Sequence, residues 1–258
     1  MADLTLQPHY RLHYQLIEGD KDKPVLVYLH EALGCTFMWR DFPELLCRAT
    51  GCPGLLYDRL GHGKSSPLLH ERTIHYLHEL ALKELPLLLK QLIPDQTYIL
   101  VGHSDGGSIA LLLGAERPLL LRGIITEAAH VFVDAETLSG IQGALQAWQK
   151  GKLAGLRKHH GENTEVIFAA WHKTWLASWF RSWNIEYALP SITAPLLVLQ
   201  GENDQYGSRD QVKSITSGAS PDARAEIIAG CAHIPHLEAQ SRVLDLMARF
   251  ITERCTCI

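Results

Sequence analysis

The chain has 258 residues, of which 47% are hydrophobic and 20% are charged, and its formal net charge at neutral pH is -4. A chain of this size buries roughly three quarters of its unfolded surface, so it needs no stabilising disulfide or metal, and one large α/β domain with an inserted subdomain is expected. The negative charge and the lack of a Lys/Arg cluster argue against nucleic acid or an anionic membrane as a partner.

Three patterns in the sequence bear on the expected location of the protein. The first residues contain no basic segment followed by an apolar run, and no apolar run reaches the ~20 residues of a membrane span, so a cytoplasmic protein is expected. The six cysteines lack the paired spacing of a metal site and are interpreted as free thiols in a reducing compartment. The last four residues, starting at Cys255, formally fit a prenylation box, but no polybasic segment precedes them.

Strand and helix patterns alternate along most of the chain. Residues 10–17 alternate polar and apolar side chains, as an antiparallel edge strand does. Further strands are predicted at 25–29, 54–57, 98–101, 123–126, 194–200 and 225–229, and helices at 39–48, 73–93, 108–115 and 237–253. This alternation predicts a mostly parallel sheet with helices on its faces.

The motif around which the chain is organised lies between strand 98–101 and helix 108–115. Ser104 stands two residues after Gly102 and two before Gly106, in the pattern G-x-S-x-G of a nucleophile elbow. Only very small residues fit beside the strained turn, which lifts the serine hydroxyl clear of the sheet. The turn also aims the backbone N–H of Asp105 toward an anion formed beside that hydroxyl. The pattern therefore predicts Ser104 as a nucleophile.

The loop after strand 25–29 is predicted to supply a second donor to such an anion. It lies at the carboxyl end of a central strand, where open α/β sheets bind ligands, and the backbone N–H of Ala32 is the candidate. Loss of one donor of this kind costs on the order of 10²–10³ in rate. An ordinary strand-to-helix loop is the alternative, and His30 is expected to orient the loop.

Two other patterns favour structural roles. Residues 58–66 resemble a phosphate loop, but Gly61 and Gly63 are too close together for one, so a tight turn fixed by Asp58 and Arg59 is preferred. His75 and His78 share a helix face without a convergent carboxylate or cysteine. No metal site and no cofactor are therefore expected.

Residues 131–190 contain mostly helical patterns and no convincing strand. Trp171, Trp175, Trp179 and Trp183 recur at every fourth position, which predicts one aromatic face along a helix. These rings are interpreted mainly as the core of a small helical cap. Some of them are expected to line an apolar substrate pocket between this segment and the sheet.

A serine hydroxyl becomes a good nucleophile only when an oriented base accepts its proton. The loops after the last two predicted strands offer the acid Asp204 and the imidazole His233, which follow Ser104 in the chain order Ser, Asp, His. All three lie beyond strand carboxyl ends, where one edge of the sheet can gather them. The alternatives are His236 as the base and, as the acid, Glu202, Asp210 and Asp134.

Together these motifs resemble the α/β-hydrolase superfamily along nearly the whole chain. The resemblance is carried by H-E-A-L-G at 30–34, D-R-L-G-H-G-K-S at 58–65, G-H-S-D-G-G at 102–107, G-E-N-D at 201–204 and C-A-H-I-P-H-L-E at 231–238. It implies an α/β-hydrolase fold with its core at 1–130 and 191–258 and a helical cap inserted at 131–190. It also implies Ser104 as nucleophile, His233 as base and Asp204 as orienting acid, with Ala32 and Asp105 as oxyanion donors.

Two positions depart from the family pattern. Glu31 stands where the family commonly has glycine, which brings a carboxylate close to the oxyanion loop, and Ala232 replaces the glycine usual before the catalytic histidine. A serine nucleophile disfavours the dehalogenase and epoxide hydrolase chemistry that the family performs with aspartate.

The sequence therefore predicts a serine hydrolase that cleaves small-to-medium carboxylic esters through an acyl-enzyme. Lactone, thioester and carbon–carbon bond hydrolysis with the same triad remain alternatives, as does a non-catalytic small-molecule receptor. The oligomeric state is left open. The residues expected around the substrate are His30, Glu31, His103, Phe132, Trp171, Trp175, Trp179 and Tyr206.

Overall fold

The structure is a computed structural model that describes residues 1–7, 10–219 and 222–255. Within these residues the chain forms one eight-stranded sheet in the order β1-β2-β4-β3-β5-β6-β7-β8. The strands are β1 (Ala2–Gln7), β2 (Tyr10–Ile17), β3 (Val25–Leu29), β4 (Gly54–Tyr57), β5 (Tyr98–His103), β6 (Leu121–Glu127), β7 (Leu196–Gly201) and β8 (Ala223–Ile228). β1 pairs antiparallel with β2 and β2 antiparallel with β4, whereas the pairs from β4 to β8 are parallel. The predicted α/β-hydrolase sheet is confirmed.

Helices cover both faces of the sheet. They are α1 (Phe42–Thr50), α2 (Tyr76–Glu79), α3 (Leu85–Leu92), α4 (Asp105–Ala115), α5 (Ala135–Gln149), α6 (Arg157–His160), α7 (Thr164–Leu176), α8 (Arg209–Gly218), α9 (Pro235–Glu238) and α10 (Gln240–Phe250). Shorter 3-10 turns occur at Thr36–Trp39, Ala154–Leu156, Gly161–Asn163, Ser178–Phe180 and Glu186–Ser191, and π-helical turns at Leu80–Glu84 and Ile251–Cys255.

The central strands are buried on both faces, which explains their uninterrupted apolar sequences. In β3, Val25 and Val27 face a core shared with α3 and α4, while Leu26 and Tyr28 face a second core shared with α1 and α10. All five residues of β3 are buried. The sheet thus separates two apolar layers, and the parallel strands deliver their carboxyl ends to one common edge.

The sequence predicted seven of the eight described strands; it missed β1 and therefore placed β2 at the edge of the sheet. β2 is not an edge strand, because β1 pairs along its outer side and forms the edge itself. Leu4 and Leu6 of β1 pack against the core, so this short apolar alternation belongs to a strand that was not predicted from the sequence.

The predicted helix boundaries differ more from the observed ones than the predicted strand boundaries do. α4 begins at Asp105 rather than at Ser108, and the predicted helix 39–48 is a 3-10 turn followed by α1. The helix predicted through Trp183 ends at Leu176, because Ala177 adopts an extended conformation with ψ 143°. The tryptophans therefore do not share one helix face.

Between β6 and β7 the described chain contains helices and one isolated bridge, from Phe132 to Asn184. This stretch is called the helical segment 131–190 below. Among the described residues, no helix is both long enough and apolar enough to cross a membrane. The end of the prenylation-like pattern, from Thr256 to Ile258, lies outside the described residues.

Candidate active site

Ser104 occupies the sharp turn between β5 and α4. Its backbone has φ 54° and ψ -117°, a left-handed conformation that non-glycine residues rarely adopt and that is typical of strained functional positions. A Cβ added at Gly102 would overlap the carbonyl of Gly106, and a Cβ added at Gly106 would overlap the carbonyl of Leu29. The predicted crowding beside the serine is therefore confirmed, and it explains why both positions are glycine.

His233 and Asp204 meet in the loops that follow β8 and β7. The Nδ1–H of His233 donates to Oδ1 of Asp204 at 2.8 Å, and the same oxygen accepts the backbone N–H of Tyr206 at 2.9 Å. The Asp204 carboxylate is almost completely buried, at 1% exposure. A carboxylate held in this way fixes both the tautomer and the orientation of an imidazole.

Burial is the largest influence on the pKa of His233 and lowers it, while the bond to Asp204 offsets only part of that effect. The pKa therefore lies below its ordinary value, and the imidazole is neutral at neutral pH, the form that accepts a proton. For Asp204, burial is the largest single influence and raises the pKa, but the bond and charge of His233 together with the backbone bond from Tyr206 and the charge of His130 outweigh it, and the pKa falls below its ordinary value.

The alternative acids and base have other partners. His236 bonds to the fully buried Glu127 at 2.6 Å. Asp134 begins α5 as its N-cap, accepting from Thr137, and its other oxygen accepts from Ser208 at 3.0 Å. Glu202 lies 3.5 Å from Arg209, and Asp210 is exposed on α8.

The loop after β3 is held from behind by the turn at 58–66. The buried guanidinium of Arg59 donates to the carbonyl oxygens of His30 and Glu31, the latter at 2.9 Å, and the Nε2–H of His62 donates to the carbonyl of Ala32 at 3.0 Å. In a trans peptide the N–H points opposite to the preceding carbonyl, so the Ala32 N–H faces away from Arg59. The predicted structural role of the turn is confirmed.

The helical segment 131–190 is also tied to this loop. His160 of α6 accepts the backbone N–H of Gly63 at Nδ1, at 2.9 Å, and donates from Nε2 to the carbonyl of Leu33 at 2.8 Å. Sequence reasoning missed this contact, because a lone histidine in a short helix carries no recognisable signal.

Ser104 and His233 both line a cavity of about 200 Å³. Its wall also contains the two residues predicted as oxyanion donors, Ala32 and Asp105. As the first residue of α4, Asp105 has an N–H without an intrahelical acceptor. The remaining lining residues are mostly apolar: Glu31, Leu33, Met38, His130, Thr137, Ile141, Ala144, Leu153, Leu156, Trp171, Trp175, Tyr206 and Ile234.

Of the eight residues expected around the substrate, four line this cavity and four do not. Those that line it are Glu31, Trp171, Trp175 and Tyr206. His30 instead lies fully buried beneath the loop, where its Nε2 accepts the Arg59 N–H at 3.1 Å. His103 is buried behind the elbow, and its Nε2–H donates to the carbonyl of His233 at 2.7 Å.

The other two corrections concern the helical segment 131–190. Phe132 forms the isolated bridge to Asn184, and its carbonyl accepts from Gln211 at 3.1 Å. Trp179 follows the end of α7 and packs edge-on against Phe180, which leaves it 47% exposed. Its place in the cavity was inferred from a helix that does not continue that far.

Three of the lining residues have a spacing in the sequence that indicates a shared helix face. Thr137, Ile141 and Ala144 of α5 are spaced by four and three residues, the spacing of one helix face, and all three line the cavity. The helical period of this stretch indicates which of its side chains share a wall.

A buried polar chain joins the elbow to the cavity wall. The Tyr76 hydroxyl donates to Oδ2 of Asp105 at 2.9 Å and accepts the indole N–H of Trp175 at 2.9 Å. Asp105 and Trp175 are nearly inaccessible, at 2% exposure each. Tyr76 therefore positions both the residue that follows the serine and an aromatic ring of the cavity.

The fold, the strained serine and the acid–histidine pair all point to one family. A sequence model described as the alpha/beta hydrolase family matches residues 26–246. The chain belongs to this family. The family match places the chain among hydrolases.

Two curated relatives and one solved structure illustrate the similarity. The sn-1-specific diacylglycerol lipase ABHD11 of Mus musculus is 33% identical over 126 residues, which cover 48% of this chain and 38% of that protein. The chain thus spans well under half the length of that lipase. A 2-succinyl-6-hydroxy-2,4-cyclohexadiene-1-carboxylate synthase of Escherichia coli is 24% identical over 84% of this chain and 77% of its own. An alpha/beta hydrolase from a Medee basin deep-sea metagenome library has a TM-score of 0.79 at 18% identity, covering 97% of both chains.

Proposed function

We propose that the protein is a serine hydrolase that cleaves small-to-medium carboxylic esters through an acyl-enzyme. The observation that carries the proposal is the 2.8 Å bond from His233 to the buried Asp204, with His233 on the wall of the cavity that also contains Ser104. Together these side chains supply a nucleophile, a base and an orienting acid. The helical segment 131–190 acts as a cap over the sheet in this proposal.

The proposed reaction has two steps, acylation of Ser104 and hydrolysis of the acyl-enzyme. His233 takes the proton of Ser104 while the serine oxygen bonds to the ester carbon, and the backbone N–H groups of Ala32 and Asp105 bind the oxyanion. The bond to the leaving alcohol then breaks as His233 returns the proton to it. Water repeats the sequence on the acyl-enzyme, giving the free acid and restoring the serine.

The cavity wall favours an apolar acyl or aryl group. Ile141, Leu153 and Leu156 provide aliphatic contacts, and Trp171 and Trp175 provide aromatic ones. A concave apolar cavity with a few convergent polar groups is typical of a small-molecule site. Lactone, thioester and carbon–carbon bond hydrolysis use the same residues. Comparing kcat/KM for esters, lactones, thioesters and carbon–carbon substrates shows which of these reactions the protein performs best.

Replacing Ser104 by alanine tests the proposal. We expect Ser104→Ala to reduce kcat for a p-nitrophenyl ester by several orders of magnitude, roughly 10³ or more, because the nucleophile is lost. Ser139→Ala is the matched control, since Ser139 is exposed on α5 and takes no part in the site. Ester turnover by Ser104→Ala at the rate of the unaltered protein would contradict the proposal, and an unaltered protein inert toward all these substrates favours a non-catalytic receptor.

A further inference from the structure

The described residues of the cavity wall include acidic side chains but no lysine or arginine. The carboxylates there belong to Glu31 and Asp105. The Asp105 carboxylate is occupied by the Tyr76 hydroxyl and almost fully buried. Glu31 is therefore the acidic group that a bound substrate meets.

The structure makes room for the Glu31 carboxylate. A Cβ added at Gly34 would overlap that carboxylate, so the absence of a side chain at Gly34 leaves it space in the loop. The Glu31 side chain retains 19% exposure. The carboxylate is thus accommodated by its own loop, and Glu31, whose side chain is partly accessible, lines the cavity.

Glu31 is ionised at neutral pH. Burial is the largest single influence and raises its pKa, but the neighbouring His103 imidazole, together with a bond to the backbone of Glu31 itself and the charge of His236, outweighs it and lowers the pKa to about 2. His103 Nδ1 lies 3.7 Å from Oε2 of Glu31. Burial lowers the pKa of His103, but the neighbouring Glu31 carboxylate and other groups raise it above its ordinary value. His103 is 1% exposed and is absent from the cavity wall, so it lies behind the carboxylate and does not face the substrate.

We propose that the cavity selects neutral esters and that Glu31 excludes substrates whose acyl group carries a carboxylate. This inference rests on the proposed function. A second carboxylate in this mostly apolar cavity meets a like charge and finds no lysine or arginine among the lining residues, whereas a neutral apolar chain meets the aliphatic and aromatic wall. The chain would then differ from the Escherichia coli relative, which is named for a product that carries a carboxylate and a succinyl group.

The experiment compares kcat/KM for two esters of equal chain length, p-nitrophenyl hexanoate and mono-p-nitrophenyl adipate. We expect the unaltered protein to prefer the neutral ester by roughly tenfold or more, since repulsion at a few ångströms in a protein interior is of that size. Glu31→Gln keeps the shape and removes the charge, and it should reduce that preference by roughly tenfold. Glu116→Gln, at the exposed end of α4, removes the same charge far from the elbow and should leave the preference unchanged.

The outcomes separate the two proposals. If the unaltered protein has the same kcat/KM for both esters, the charge inference is wrong. It is also wrong if the unaltered protein prefers the neutral ester and Glu31→Gln keeps that preference. Failure of the unaltered protein to hydrolyse the neutral ester, or full activity in Ser104→Ala, overturns the proposed function instead.

Discussion

The two sides of the cavity are built in different ways. On the side of the catalytic loops, each backbone carbonyl from His30 to Leu33 accepts a hydrogen bond from a side chain behind it, and Ser104 is held at φ 54°. On the side of the helical segment 131–190, the wall consists mainly of aliphatic and aromatic side chains. The first side is fixed by directed polar contacts. The second is fixed mainly by non-directional packing, with the Trp175 bond to Tyr76 and the His160 bonds to the loops as its polar contacts.

Under the proposed function, this difference assigns the two sides to different parts of catalysis. Directed contacts hold donors in place for a charge that develops in the transition state, so disturbing them should lower kcat. Apolar packing shapes the space for the acyl group, so changing it should alter which substrates fit. Variants on the two sides therefore separate rate from selectivity.

The largest effect on this comparison is expected from Arg59→Lys. The two terminal nitrogens of the buried Arg59 guanidinium donate to the carbonyls of His30 and Glu31. A lysine ammonium lacks this planar pair of donors and cannot bind both carbonyls in the same way. We expect kcat for a neutral ester to fall on the order of 10², because the Ala32 N–H loses its orientation. Steady-state kinetics with separate kcat and KM values measure this, and thermal unfolding confirms that the variant is folded.

Arg48→Lys serves as the control for Arg59→Lys, because Arg48 is exposed on α1 and distant from the loop. A folded Arg59→Lys protein with unchanged kcat would show that the polar contacts behind the loop do not govern the rate.

A smaller effect is expected from Trp171→Leu on the opposite wall. Trp171 of α7 is 7% exposed and lines the cavity beside Tyr206. The lost ring volume should shift the preference toward bulkier acyl groups by roughly several-fold, while kcat for a short acyl ester changes little. A series of p-nitrophenyl esters with increasing acyl size measures the shift. Trp179→Leu is the control, since Trp179 lies outside the cavity, and an identical profile in both variants would count against this assignment of the wall.

The contrast between locally fixed polar contacts and packing of distant elements also explains which features could be predicted from the sequence. The elbow glycines, Asp204 and His233 were located because a motif with fixed spacing reflects local steric and hydrogen-bond requirements. The contact of His160 with Leu33 and the end of α7 at Leu176 depend on how distant elements pack, and single residues do not encode that. Trp179 was misplaced because its four-residue spacing matches a helix that stops earlier.

The central claim is that Asp204 orients His233 for proton transfer, and paired aspartate variants test it most directly. Asp204→Asn should lower kcat on the order of 10⁴, because the amide no longer holds the imidazole in the required tautomer. Asp134→Asn, which alters the rival acid at the start of α5, should leave kcat within roughly a factor of two, since asparagine also serves as an N-cap. A large loss in Asp134→Asn with near-full activity in Asp204→Asn would contradict the account.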